Sequence, residues 1–106
     1  MIPEITAQEL AEKLKSPKPP LLIDVREPRE FRFCRIEGAA LKPLGEIERW
    51  AQELDPNTEI VLQCHTGVRS GQATAYLKSL GFKQVANLRG GIDAWSVLVD
   101  QDVPRY

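Results

Sequence analysis

Hydrophobic residues recur along the chain in short bursts, separated by longer stretches with helical spacing. Leu21 to Val25 and Glu59 to Gln63 are compact apolar runs bounded by turn residues, the pattern of buried strands. Lys83 to Leu88 reads as a further strand and Ala39 to Leu41 as a shorter one. Between them the period changes. Thr6 and Glu9 make a capping-box pattern ahead of Leu10 and Leu14, which predicts an opening helix stopped by the run Pro17 to Pro20. Pro43 to Leu54 predicts a helix with Leu44, Ile47, Ala51 and Leu54 on one face and a proline near its first turn. Arg69 to Leu80 is the clearest helix. Ala73, Tyr76, Leu77 and Leu80 line one side, and Gly81 stands where a left-handed cap is wanted. Gly90-Gly91 then leads into a short helix around Ile92 and Trp95.

Strands alternating with helices predict an α/β fold, a parallel sheet with helices on both faces. In such folds, sites form in the loops at the carboxyl ends of strands. Two loops of that kind carry reactive residues here, one beginning at Asp24 and the other at Cys64.

Composition narrows the picture. With 106 residues, one domain spanning 1–106 is expected. Lys and Arg total 14 against 15 Asp and Glu, a net charge of -1, which argues against nucleic-acid binding. Unbroken apolar runs such as Leu21-Leu22-Ile23 are far shorter than the about 20 residues of a membrane helix or the about 7–15 of a signal-peptide core. No membrane association is expected. Two cysteines cannot build a disulfide framework, so free thiols in a reducing, cytoplasmic setting are expected. One His and two Cys also fall short of a structural zinc site, and no metal is expected.

The segment Cys64-His65-Thr66-Gly67-Val68-Arg69-Ser70 lies between a buried strand and the strongest helix. A Cys just past a strand end sits at the mouth of the sheet. Gly67 allows a backbone turn closed to other residues. A loop wrapped around the sulfur would aim successive N–H groups inward, and the helix start adds its positive dipole end. Arg69 contributes a forked cationic donor that suits an oxyanion. Together these features favour the thiolate, the nucleophilic form of the sulfur.

Cys-x-x-Gly-x-Arg-Ser in this setting resembles the active-site loop of rhodanese-type sulfurtransferases. The resemblance covers nearly the whole chain. Leu22-Ile23-Asp24-Val25-Arg26-Glu27-Pro28 and Glu30-Phe31 look like that family's first strand and following turn. Ile36 with Gly38-Ala39 looks like its next segment, and Gly81-Phe82, Val85, Leu88, Gly90-Gly91 and Trp95 like its closing strand, glycine pair and final helix. The resemblance implies a three-layer α/β/α fold with a mostly parallel sheet of about five strands. It also implies a reaction. Cys64 takes sulfane sulfur from a donor such as thiosulfate, becomes a persulfide, and passes the sulfur to cyanide, an acceptor thiol or a sulfur-accepting protein. His65, Thr66, Gly67, Val68, Arg69 and Ser70 would form the substrate-binding loop, with Asp24 and Arg26 in support. No metal or organic cofactor is implied, and a monomer is expected. The chain departs from the family pattern at Cys34-Arg35, where Gly-His is common, and at Gln63, where an aromatic residue commonly precedes the Cys.

Two other functions compete. Related phosphatases and arsenate reductases place one residue more between Cys and Arg than the four found here, His65, Thr66, Gly67 and Val68, so loop length favours sulfur over phosphate. A non-catalytic binding module would usually have lost the Cys. Other residues carry plainer readings. Asp24 either holds the loop or a neighbouring Arg, or bonds its own backbone as a turn residue. Arg26, Arg29, Arg32 and Arg35 recur every third residue, a basic rim or simply a solvated face interleaved with glutamates. Cys34 is a resolving thiol or, more simply, a packed residue. His65 is expected to point outward while the loop uses its backbone N–H. Trp50 and Trp95 read as packing residues.

Overall fold

The computed structural model describes residues 2–106. Five strands form one sheet in the order β1-β5-β4-β2-β3, and every pairing is parallel. They are β1 (Glu4–Ile5), β2 (Leu21–Asp24), β3 (Ala40–Leu41), β4 (Ile60–Gln63) and β5 (Val85–Leu88). The helices are α1 (Ala7–Leu14), α2 (Pro28–Phe33), α3 (Ile47–Trp50), α4 (Val68–Ser79) and α5 (Gly91–Leu98).

Side-chain alternation along the strands builds two cores. Leu22 and Val61 face one way and join Ala7 and Leu10 of α1 and Ile92 and Trp95 of α5. Ile23, Ile60 and Leu62 face the other way and join Trp50, Ala73 and Leu77 of α3 and α4. This is the three-layer arrangement expected, with β4 at its centre. No helix among the described residues is long and apolar enough to cross a membrane.

Local signals account for most boundaries. Thr6 and Glu9 close the expected capping box at the start of α1. Gly81 takes φ +94 just beyond α4. Three elements differ from expectation. Strand β1 is two residues long, too short for a periodic signal, yet it pairs with the edge of β5. The segment expected to be a turn after β2 is α2. It buries none of its residues and so has no apolar stripe, and Pro28 at its first position with a Glu27–Glu30 capping box defines it instead. The helix expected over Pro43 to Leu54 divides into 3-10 turns at Leu44–Glu46 and Ala51–Glu53 around α3. Tertiary bonds compete there: the Leu44 N–H donates to the Val25 carbonyl (3.0 Å), and the Trp50 indole N–H to the Pro43 carbonyl (2.8 Å).

Candidate active site

Strand β4 ends at Gln63, so Cys64 is the first residue beyond the sheet and α4 begins four residues later at Val68. The chain reverses within that span because Gly67 adopts φ +106. The turn brings the Gly67 N–H to 3.1 Å from Cys64 Sγ, where it donates to the sulfur. Helix geometry leaves the N–H groups of the first turn of α4 without intrahelical partners, and these follow directly. The Ser70 hydroxyl lies 3.3 Å from Cys64 Sγ and also contacts Asn87 Oδ1. It has one proton, so it donates to one of them at a time. Cys64 is only 1% exposed, whereas Thr66 and Val68 project outward.

Two neighbours fix the loop. The Asn87 amide on β5 donates to the Gly67 carbonyl (3.1 Å) while its oxygen meets Ser70. The start of α5 holds the other side: the Ile92 N–H donates to the Cys64 carbonyl (2.8 Å) and the Asp93 N–H to the His65 carbonyl (3.1 Å). That approach requires Gly91, at φ +61. A Cβ there would lie 2.5 Å from both the Cys64 and the His65 carbonyl oxygens.

The loop after β2 is built from charges. Asp24 and Arg26 are fully buried and paired, Nη2 to Oδ2, at 2.7 Å. Asp24 Oδ1 also accepts the Arg26 backbone N–H at 3.0 Å, so both readings of Asp24 hold together. Arg26 Nη2 donates to the Cys34 carbonyl (2.7 Å) and Nη1 to the Tyr106 hydroxyl oxygen (2.9 Å). Burial alone would lower the Arg26 pKa, but the hydrogen bonds and charge of Asp24, with the Tyr106 hydroxyl, outweigh it and push the pKa up.

Arg69, expected from its place in the loop to face an incoming anion, has its guanidinium on a carboxylate of the protein itself. Its guanidinium makes a two-pronged pair with Glu30 of α2, at 2.7 and 2.9 Å. A planar fork matches a carboxylate, and α2 brings that carboxylate to it. The Arg69 hydrogen bonds hold the Glu30 carboxyl at a pKa of about 2, against some opposition from burial. Glu30 also accepts from the Tyr106 hydroxyl at 2.8 Å. The Tyr106 ring stacks on His65, 3.9 Å between centroids and 11° between planes, so His65 is half-buried under the tail and does not point freely outward.

The arginine row is not one rim. Arg26 is buried, Arg35 folds onto Phe31, donating to its carbonyl, and Arg29 and Arg32 are exposed. Cys34 packs in the core against α1 and α5, whereas Cys64 belongs to the core on the α3 and α4 face. Among the described residues no three His, Cys, Asp or Glu side chains gather as a metal site needs. Asn87 and Tyr106 are not among the sequence-predicted site residues, and Glu30 enters the sequence reading only within the turn after the first strand. Asn87 had a signal, a lone polar residue inside an apolar strand. Glu30 and Tyr106 meet across a separation that no local pattern encodes.

The sequence model of the rhodanese-like domain matches residues 6–98. The chain belongs to the rhodanese-like domain family. It is 38% identical over 96 residues to a sulfurtransferase of Allochromatium vinosum, covering 91% of this chain and 90% of that one. It is 40% identical over 95 residues to the putative sulfur carrier protein YrkF of Bacillus subtilis, covering 90% of this chain but only 51% of the relative. The chain thus spans about half the length of that relative. Among solved structures, a rhodanese-like domain protein from Staphylococcus aureus superimposes with a TM-score of 0.85 at 30% identity, covering 99% of each chain. Rhodanese-like sulfur transfer is the chemistry that these relatives share in name, as sulfurtransferases or sulfur carriers.

Proposed function

We propose that the protein moves sulfane sulfur through a persulfide on Cys64, from a small donor such as thiosulfate to an acceptor thiol, a sulfur-accepting protein or cyanide. The observation that carries this reading is the set of donors around one sulfur. The Gly67 N–H and the Ser70 hydroxyl reach Cys64 Sγ at 3.1 and 3.3 Å, at the start of α4. Such donors act on charge held at a fixed point, and they need no rearrangement during the reaction.

In the first half-reaction the Cys64 thiolate attacks the outer sulfur of thiosulfate. The new S–S bond forms as the old one breaks, and sulfite leaves with the bonding electron pair. In the second, an acceptor thiolate or cyanide attacks the outer persulfide sulfur and Cys64 departs as thiolate. Each half-reaction conserves charge, and the sulfur rides on the side chain, so neither metal nor organic cofactor has a step to perform. Gly67 and Ser70 hold the sulfur anion, Asn87 holds both of them, and Gly91 lets α5 press the loop into place. A reducing, cytoplasmic setting suits a catalyst that depends on a free thiol.

Steady-state kinetics test the proposal. Varying thiosulfate at several fixed cyanide concentrations is expected to give parallel double-reciprocal lines, the pattern of a covalent intermediate. Cys64→Ser removes turnover, and Cys34→Ser keeps it. Intersecting lines, or equal loss in both variants, would replace the single-cysteine mechanism. Hydrolysis of an aryl phosphate ester faster than sulfur transfer would favour the phosphatase reading.

A further inference from the structure

The buried and half-buried charges near the site are paired. Arg26 faces Asp24 in the interior, and Arg105 faces Asp93 beside His65. Arg69 lies near enough to Cys64 for their charges to act on each other, yet both prongs of its fork are on Glu30. Glu30 is held in turn by the Tyr106 hydroxyl and the Glu27 N–H, while Arg29 and Arg32 of the same helix are exposed and screened by solvent. A dianion arriving at Cys64 therefore meets backbone and hydroxyl donors but, among the described residues, no uncommitted buried cation. It also meets a carboxylate already ionised across the working pH range.

We infer that Glu30 is a specificity-determining residue, which by sequestering Arg69 biases the site against doubly charged oxyanion donors and toward sulfane donors of lower charge. This rests on the reading of Cys64 as the sulfur carrier. The chemistry is the same for either class. Thiosulfate loses sulfite, and methanethiosulfonate, with one charge fewer, loses methanesulfinate, in each case with the electron pair of the broken S–S bond. The leaving groups differ in charge and in intrinsic reactivity, but the intrinsic difference is the same in every variant, so the change of the kcat/KM ratio between variants reports the electrostatic contribution of the site.

The test measures that ratio, thiosulfate over methanethiosulfonate, in the wild type, Glu30→Gln, Glu30→Asp and the double variant Glu30→Gln/Arg69→Gln. Glu30→Gln frees the Arg69 charge and is expected to raise the ratio roughly tenfold, the effect of one charge-assisted contact. Glu30→Asp keeps the negative charge, and its ratio stays close to the wild type. The double variant removes both charges and returns the ratio to within about threefold of the wild type, as a self-neutralised pair requires. A Glu30→Gln ratio equal to the wild type would overturn the inference. So would a double variant whose ratio falls more than about tenfold, because Arg69 would then already serve the dianion. If Glu30→Gln alone failed to fold, Glu30→Ala, which removes the same charge and leaves Arg69 in place, would be read by the same criteria. Failure of both donors to load sulfur onto Cys64 would instead defeat the sulfur-carrier reading itself.

Discussion

The two loops at the carboxyl ends of neighbouring strands solve opposite problems. The segment after β2 is crowded with charge, and the part of it that faces the site is spent internally: Asp24 on Arg26, Arg26 on the Cys34 carbonyl and Tyr106, Glu30 on Arg69, while Glu27, Arg29, Arg32 and Arg35 face solvent. The loop after β4 has no charge of its own beyond Arg69, which α2 takes away. What remains is a sulfur surrounded by uncharged donors. The contrast teaches that charge near a site does not locate the chemistry. The reactive loop is the one whose donors converge on the nucleophile: the Gly67 N–H points at the sulfur, and the Ser70 hydroxyl is shared between the sulfur and Asn87.

The strongest way to separate the loops is Arg26→Met. It leaves the fully buried Asp24 unpaired, and a loss of about 3–5 kcal/mol of stability is expected. Urea unfolding measures it, and sulfur loading per folded molecule should change far less. A variant as stable as the wild type would show that the pair contributes little, and the contrast would lose its structural half.

Gly91→Ala is expected to do the reverse. The added methyl group would press on the Cys64 and His65 carbonyls and displace the loop, which lowers kcat/KM roughly 100-fold, since a shift of about 1 Å in a catalytic group has that effect. Circular dichroism should show the sheet and helices retained. Full activity in this variant would mean that the position of the loop is not set by α5.

Gln63 sits between the two loops, in register with Asp24, and both polar atoms of its buried amide lack partners. Gln63→Leu should therefore stabilise the protein by about 1–2 kcal/mol in urea unfolding, because an unsatisfied buried group is replaced by an apolar one of similar size. Loss of stability in that variant would reveal a partner for the amide, such as a buried water.

The smallest effect concerns acid. The Glu30 carboxyl titrates near 2 in the folded protein, against an ordinary value of 4.5. Its contribution is complete above about pH 4.5 and is lost as pH falls from there toward 2. With the Arg69 side chain 35% exposed, about 1 kcal/mol is expected. Comparing wild type with Glu30→Gln by urea unfolding at pH 6 and pH 3 checks it. The wild type should lose more stability between the two, and an equal loss would mean that the pair is too exposed to matter.

Much of this was legible in the sequence. The strand–loop–helix setting of Cys64, the turn at Gly67 and the alternation behind the parallel sheet all follow from local pattern. Arg69 was legible as a loop residue but not as Glu30's partner, because that pair joins residues 39 positions apart. Helix α2 was hidden because it buries nothing, and β1 because two residues carry no period. Asn87 and Gln63 look alike on paper, each a polar residue in an apolar strand. One is satisfied by Ser70, Gly67 and Glu4, the other by nothing, and only the packing of neighbouring strands tells them apart.

The central claim is that the sulfur of Cys64, and not that of Cys34, carries the transferred atom. Intact-protein mass spectrometry after incubation with a sulfane donor, followed by peptide mapping, tests it most directly, with the other cysteine as internal control. The account predicts a gain of about 32 Da, one sulfur atom, on the peptide containing Cys64, reversed by cyanide and absent in Cys64→Ser. The same gain on Cys34, or its persistence in Cys64→Ser, would contradict it.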